Sequence, residues 1–276
     1  MSTSDALVEF MNNVYDGLNR NLINVSVFID FKKAFDTISH NILFEKLQHY
    51  GIRGIALNWL ISYLHDRSAY TVWDGEVSVT QRINIGVPQG TIIGPLLFLI
   101  YINDIVNASK VLKFILYADD TTLYISDSSL HEIIPIFNVE LNHILNWTQA
   151  NRISLNLSKT KYMIISTVKV NISGLESLIL DGNKIERVNM FKFLGIIIDD
   201  RLLFRDHVIY TSAKLSRTLG ILRKLYYLPE RTLLTLYYSL FNSVIMYGIL
   251  IWGSSSKVFL NKILVAQKKN CQGYLR

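Results

Sequence analysis

Apolar residues recur at helical spacing in some stretches of the chain and in alternating or unbroken runs in others, and this contrast predicts its elements. Leu7, Val8, Met11, Val14, Tyr15 and Leu18 line one face of a helix over Ser4–Asn19. Asn24–Asp30, NVSVFID, reads as a strand that ends on an acid. Ser39 is placed to cap a helix that runs to about Tyr50 and stops at Gly51, and a second helix covers Gly54–Leu64. Asp74-Gly75 between Tyr70–Trp73 and Val77–Thr80 predicts a hairpin. Gly86, Pro88, Gly90, Gly94 and Pro95 mark unusual backbone ahead of an apolar helix near Pro95–Val106, with Pro95 in its first turn.

Two strand-like runs, Leu112–Tyr117 and Thr121–Ile125, flank the adjacent acids Asp119 and Asp120. A helix follows with Pro135 expected in its first turn and Phe137, Leu141, Ile144 and Leu145 on one face, ending near Asn151. Strands are expected at Tyr162–Ser166, Ser177–Leu180 and Lys184–Val188, the last two joined by Asp181-Gly182, and at Phe191–Ile198, which Asp199-Asp200 closes as a turn. Three helices are expected near 206–226, 230–248 and 256–272. The order defines an α+β core with antiparallel pairing over residues 1–200 and a helical segment over 201–276.

Charge divides the chain at the same place. Residues 201–276 carry 12 Lys and Arg against Asp206 and Glu230, whereas residues 1–200 carry 16 against 20 acids. An acid-bearing body followed by a basic segment points to a metal site in front and a polyanion grip behind. The single cysteine, Cys271, forms no internal disulfide and fits a reducing, intracellular compartment, nucleus or cytoplasm. Thr232–Ser256 carries no charge, yet Thr235, Ser239, Asn242, Ser243, Gly248 and Gly253 favour a buried helix over a membrane span.

The chemistry rests on the acids. Asp119 and Asp120 repel each other in an apolar setting, which a tight turn tolerates and a divalent cation relieves. A strand ending in Asp30 can lie beside the hairpin that carries them, so three carboxylates can converge. Such a set suits two Mg²⁺ ions and phosphoryl transfer; spacing alone leaves polymerase, nuclease and phosphatase open.

The stretches FIDFKKAFDTISHNIL, GVPQGTIIGPLLFLIYIND, YADD, LNLSKTKYM and FKFLGIIID resemble, in order, the successive motifs of reverse transcriptases, in the flavour of non-LTR (LINE-type) retrotransposons such as the jockey group. The resemblance implies a right-hand polymerase palm with partial fingers over 1–200, a thumb-like region over 201–276, and RNA-directed DNA polymerase activity. Asp30, Asp119 and Asp120, with the backbone carbonyl of Phe31, match the ligands of two Mg²⁺ or Mn²⁺ ions. Phe35 matches the bulky residue that excludes a 2′-hydroxyl, Gln89 and Gly90 the loop beside nucleotide and template, and Lys159 a lysine at the leaving pyrophosphate, with Lys161 competing. Phe191–Ile198 resembles the primer-grip hairpin, whose backbone steadies the primer end. Lys214, Arg217, Arg223 and Lys224 would hold the phosphates of template RNA and DNA primer, and dNTP would be the substrate. Asp36 is expected to cap the next helix and Asp104 to be structural.

The family's triphosphate-gripping basic strands lie upstream of its first aspartate, whereas Arg20 is the sole cation in the first 31 residues here, and KNCQGYLR ends inside an expected helix. The sequence therefore predicts a retained metal site with weak or absent polymerisation by this chain alone; the alternative is a catalytically dead nucleic-acid-binding relic.

Overall fold

The structure, a computed structural model, describes residues 2–168, 170 and 174–274, with side chains up to Lys268; the side chain of Cys271 lies outside this set. A five-stranded sheet organises it, in the spatial order Glu186–Arg187, Lys161–Ile165, Ile23–Ile29, Asp120–Asp127, Lys113–Tyr117. All neighbours are antiparallel except the edge strand Glu186–Arg187.

The central strand Ile23–Ile29 is buried along its whole length, and its alternation serves two cores. Ile23, Val25, Val27 and Ile29 face one core with Phe98, Tyr101, Phe137 and Leu141. Phe28 faces the other, with Phe10 of the first helix, Phe193 and Phe204. Asn24 and Ser26 share that second face without loss, because Ser26 Oγ donates to Asn24 Oδ1 and Asn24 Nδ2 donates to Ser126 Oγ.

Helix α1 (Thr3–Asn19) opens on a reciprocal capping box between Ser2 and Asp5 and packs on the second face. Helices α2 (His40–His49), α3 (Gly54–Leu64), α4 (Ile93–Ile102) and α5 (Leu130–Ala150) cover the first. Lys46 of α2 pairs with Asp104 at 2.6 Å and lies over the Tyr101 and Trp147 rings, the structural role expected of Asp104. Helix α6 (Arg205–Lys224) and the last helix α7 (Lys257–Tyr274) pack together and join the second core, so the basic segment is continuous with the body.

Several expectations need correction. Phe191–Ile198 is not one strand: Met190–Phe193 and Ile196–Asp199 form a hairpin, because Leu194 and Gly195 both take positive φ in a two-residue turn. Pro135 is the sixth residue of α5, past the first turn. The helix starts early, at Leu130, and the missing proline N–H forfeits one bond on the exposed side. Ser39 occupies the cap position of α2 without a side-chain capping bond, and Asp36 does not cap it either. The expected 230–248 helix is interrupted by a π-turn at Tyr237–Asn242 and ended by the αL residue Gly248. No helix of the described residues is long and apolar enough to cross a membrane.

Candidate active site

Register places two of the acids. Ile29 pairs with Thr121, so the next rung sets Asp30 opposite Asp120, and both side chains leave the sheet on the Phe28 side. Tyr117 pairs with Asp120, which leaves Ala118 and Asp119 as a two-residue turn with Ala118 at φ 50°. Asp30 and Asp120 line a cleft of about 460 Å³ together with Lys159, Lys161 and Phe191, roofed by the Met190–Asp199 hairpin. Phe191 stacks on Phe28 at 4.0 Å and ties that roof to the sheet. Asp119 sits on the turn beside the cleft rather than in its lining.

The turn after α5 closes over Asp30. Lys32 N–H donates to Ser154 C=O and Asn156 N–H to Asp30 C=O, each at 2.8 Å, with Phe31 opposite Leu155 between them. Phe31 is thus in a non-bonded rung of this ladder, so its own carbonyl is not taken up by the turn. Asn156 Nδ2 donates to Asp30 Oδ2 at 2.8 Å, and Lys159 Nζ stands 4.0 Å from the same oxygen. Lys161 is engaged with Glu186, so of the two lysines Lys159 is the one beside Asp30. Asn156 and Thr160 were missed as site residues. Both stand in the LNLSKT stretch, but nothing in that stretch alone ties them to Asp30, 126 residues away for Asn156.

Phe35 and the loop bearing Gln89 and Gly90 form one unit, and none of the three lines this cleft. Val87 N–H donates to Phe35 C=O, Gly86 N–H to Ile38 C=O, and Gln89 Nε2 to Asp36 Oδ1. The Phe35 ring is half-buried against Phe98, with centroids 4.7 Å apart. Gly86 has φ 82°, and a Cβ there would lie 2.7 Å from the Asp36 carbonyl oxygen, so close approach requires glycine. Gly90, at φ 76°, is exposed and uses glycine for its backbone angle alone.

The four basic residues of α6 do not share one face. All are exposed, but at 100° per residue Lys214, Arg217 and Lys224 fall within an arc of about 80°, with Arg223 opposite Lys214. Arg223 lines a separate cleft toward Lys262 of α7. Lys192, on the roof hairpin, lies over the Tyr210 ring and lines both the aspartate cleft and a second one with Lys214. Below it His207 is buried and accepts from Ile197 N–H through Nδ1; burial and the nearby Lys192 charge push its pKa down to about 4, so it is neutral.

Burial first, then the charges of Asp119 and Asp30, raise the Asp120 pKa above the ordinary carboxylate value. Among the described residues no three acid, histidine or cysteine side chains enclose a cation in the present side-chain arrangement. The donor chemistry still fits a hard divalent cation: the facing groups are carboxylate oxygens, and the strain on Asp120 is of the kind a cation relieves.

The site is thus an antiparallel sheet with acids at the ends of adjacent strands, backed by helices and covered by a hairpin. The fold agrees with that of apo telomerase from Candida Tropicalis, with a TM-score of 0.51 and 14% identity over 98% of this chain and 50% of that one. Residues 6–198 match the family described as reverse transcriptase (RNA-dependent DNA polymerase), and the chain belongs to that family. It is 28% identical to the probable RNA-directed DNA polymerase from transposon BS of Drosophila melanogaster, over 91% of this chain and 29% of that protein. It is 25% identical to the RNA-directed DNA polymerase from mobile element jockey of the same organism, over 97% of this chain and 30% of that protein. The chain thus spans less than a third of these relatives' length.

Proposed function

We propose that this chain is the palm, with part of the fingers, and the thumb of an RNA-directed DNA polymerase. It would extend a DNA primer on an RNA template by in-line transfer of a nucleotidyl group from dNTP to the primer 3′-hydroxyl. The observation that carries the reading is Asp30 opposite Asp120 on the floor of a cleft that also holds Lys159. Asp30, Asp119 and Asp120, with the Phe31 carbonyl, would hold two Mg²⁺ or Mn²⁺ ions, which when bound supply Lewis-acid stabilisation of the attacking and leaving oxygens.

The chain's own residues divide the remaining work. Lys159 is positioned by its turn beside Asp30 and is largely exposed, so it could meet a pyrophosphate oxygen and give it a proton. Phe35, braced by Phe98, would wall the sugar subsite and exclude a 2′-oxygen, as the bulky residue it matches does. Gln89 and Gly90 border the base and template side of the same subsite. The Met190–Asp199 hairpin steadies the primer end, and Lys214, Arg217 and Lys224 grip the duplex through phosphates, a grip without sequence choice.

Primer extension on poly(rA)/oligo(dT) with dTTP and Mg²⁺ tests the reading. Incorporation that needs both RNA template and divalent cation supports it. Duplex binding without incorporation, unchanged when Asp119 and Asp120 are both replaced by Asn, would support a nucleic-acid-binding role instead.

A further inference from the structure

Asp30 is the residue at which the central strand leaves its ladder, so the sheet fixes its backbone on one side only. Two residues of one turn supply the rest. Asn156 N–H donates to the Asp30 carbonyl and Asn156 Nδ2 to Asp30 Oδ2, both at 2.8 Å. Asp30 N–H donates to Thr160 Oγ1 at 3.3 Å. The turn is itself locked: the Asn156 carbonyl accepts from Lys159 N–H, Thr160 N–H and Thr160 Oγ1, and Asn156 Oδ1 accepts from Ser158 Oγ. Thr160 is fully buried. Asp30 thereby has its N–H, its carbonyl and one carboxylate oxygen held, and Oδ1 has no partner among the described residues.

We infer that Asn156, backed by Thr160, is a positioning residue that fixes the rotamer of Asp30 and leaves Oδ1 free to ligate a cation. The chemistry explains why an amide stands there. A carboxylate only accepts hydrogen bonds, so the atom facing it must be the Asn156 NH₂ group, which leaves Asn156 Oδ1 to accept from Ser158 Oγ. A cation in that place would compete with a metal for the carboxylate's charge, whereas a neutral donor orients it and keeps its charge available. Lys159 points at the same oxygen but at 4.0 Å and largely exposed, so it is not the anchor and is left free for substrate.

The inference rests on the polymerase reading of the site, and metal affinity separates the two. Mn²⁺ titration followed by electron paramagnetic resonance on the full chain compares wild type with Asp30→Asn, Asn156→Ala, the near-isosteric Asn156→Leu, Thr160→Val and Thr160→Ser. Both Asn156 variants are expected to weaken Mn²⁺ roughly 10- to 100-fold, the range for a lost outer partner of a ligand, with melting temperature little changed. Thr160→Val should weaken it in the same direction and Thr160→Ser should restore it. Primer extension by the Asn156 variants should recover when Mg²⁺ is raised, which a merely structural defect would not do. Mn²⁺ affinity and Mg²⁺ requirement at wild-type level in both Asn156 variants would overturn the inference while the reading stands. If these variants do not fold, equal Mn²⁺ affinity in Thr160→Val and Thr160→Ser would overturn it in the same way. Mn²⁺ binding that survives Asp30→Asn would overturn the reading itself.

Discussion

Ile29 and Thr121 share the last paired rung between the central strand and its neighbour, and that rung brings the site into being by setting Asp30 against Asp120. A slip of one residue would send one of the two acids to the opposite face of the sheet. The register is held by both cores at once, since alternate residues of the central strand are packed on both sides. The register that brings the two aspartates together is therefore set by the body of the fold.

Glycine at position 86 holds the Gln89-Gly90 loop against the turn that carries Phe35 and Asp36. Gly86→Ala combines a positive φ with a Cβ 2.7 Å from backbone oxygen, neither of which a side chain can relieve. It is expected to cost about 1–3 kcal/mol of stability, read by denaturant unfolding, and to raise the KM for dNTP. Gly90→Ala, with the same sign of φ but open space around it, should cost less.

Phe35 is expected to set sugar choice. Phe35→Ala opens the wall that would meet a 2′-hydroxyl, so incorporation of rNTP relative to dNTP should rise by roughly 10- to 100-fold, about 1–3 kcal/mol of lost discrimination. Competition between the two substrates in primer extension reads this ratio directly, and an unchanged ratio would remove Phe35 from the gate.

The basic helix gives a salt prediction. Neutralising Lys214, Arg217 and Lys224 together should reduce the slope of log affinity against log salt for an RNA–DNA duplex by about 2 to 3, roughly 0.9 per phosphate contact. Arg223→Ala should reduce it less, because Arg223 points to the cleft shared with Lys262. Fluorescence anisotropy at several salt concentrations separates the two.

His207 predicts how stability depends on pH. Its folded pKa of about 4 lies below the unfolded value of 6.5, so the unfolded chain binds the extra proton first. Its contribution is complete above pH 6.5 and is lost as pH falls toward 4, a change of about 3 kcal/mol at full extent. His207→Asn keeps an acceptor for Ile197 N–H and should flatten this part of the unfolding profile between pH 6.5 and 4.

Much of this was legible in the sequence, for identifiable reasons. The Asp119-Asp120 hairpin and the Asp30 strand announce themselves because acids interrupt apolar runs, and both elements occur where the pattern puts them. The Asp74-Gly75 and Asp181-Gly182 turns were readable from residue type, since each pair takes positive φ. The residue pattern hid the Leu194-Gly195 turn, because leucine seldom adopts a positive φ and the run Phe191–Ile198 looks uniformly strand-like; only the resemblance to a primer-grip hairpin pointed to it. The anchor Asn156 was also hidden: periodicity reports burial, whereas its partner Asp30 is 126 residues away in sequence and is met only through the sheet. The separation of Arg223 from Lys214 needed only helical geometry, but its cleft with Lys262 depends on how the last helix packs.

The most direct test of the central claim compares wild type with Asp30→Asn and Asp120→Asn in Mg²⁺-dependent extension of a DNA primer on an RNA template, with duplex binding measured in parallel. Each substitution is expected to lower incorporation at least about 1,000-fold, more than 4 kcal/mol of transition-state stabilisation, and to leave duplex affinity within a few-fold of wild type. Incorporation by either variant at the wild-type rate would contradict the claim.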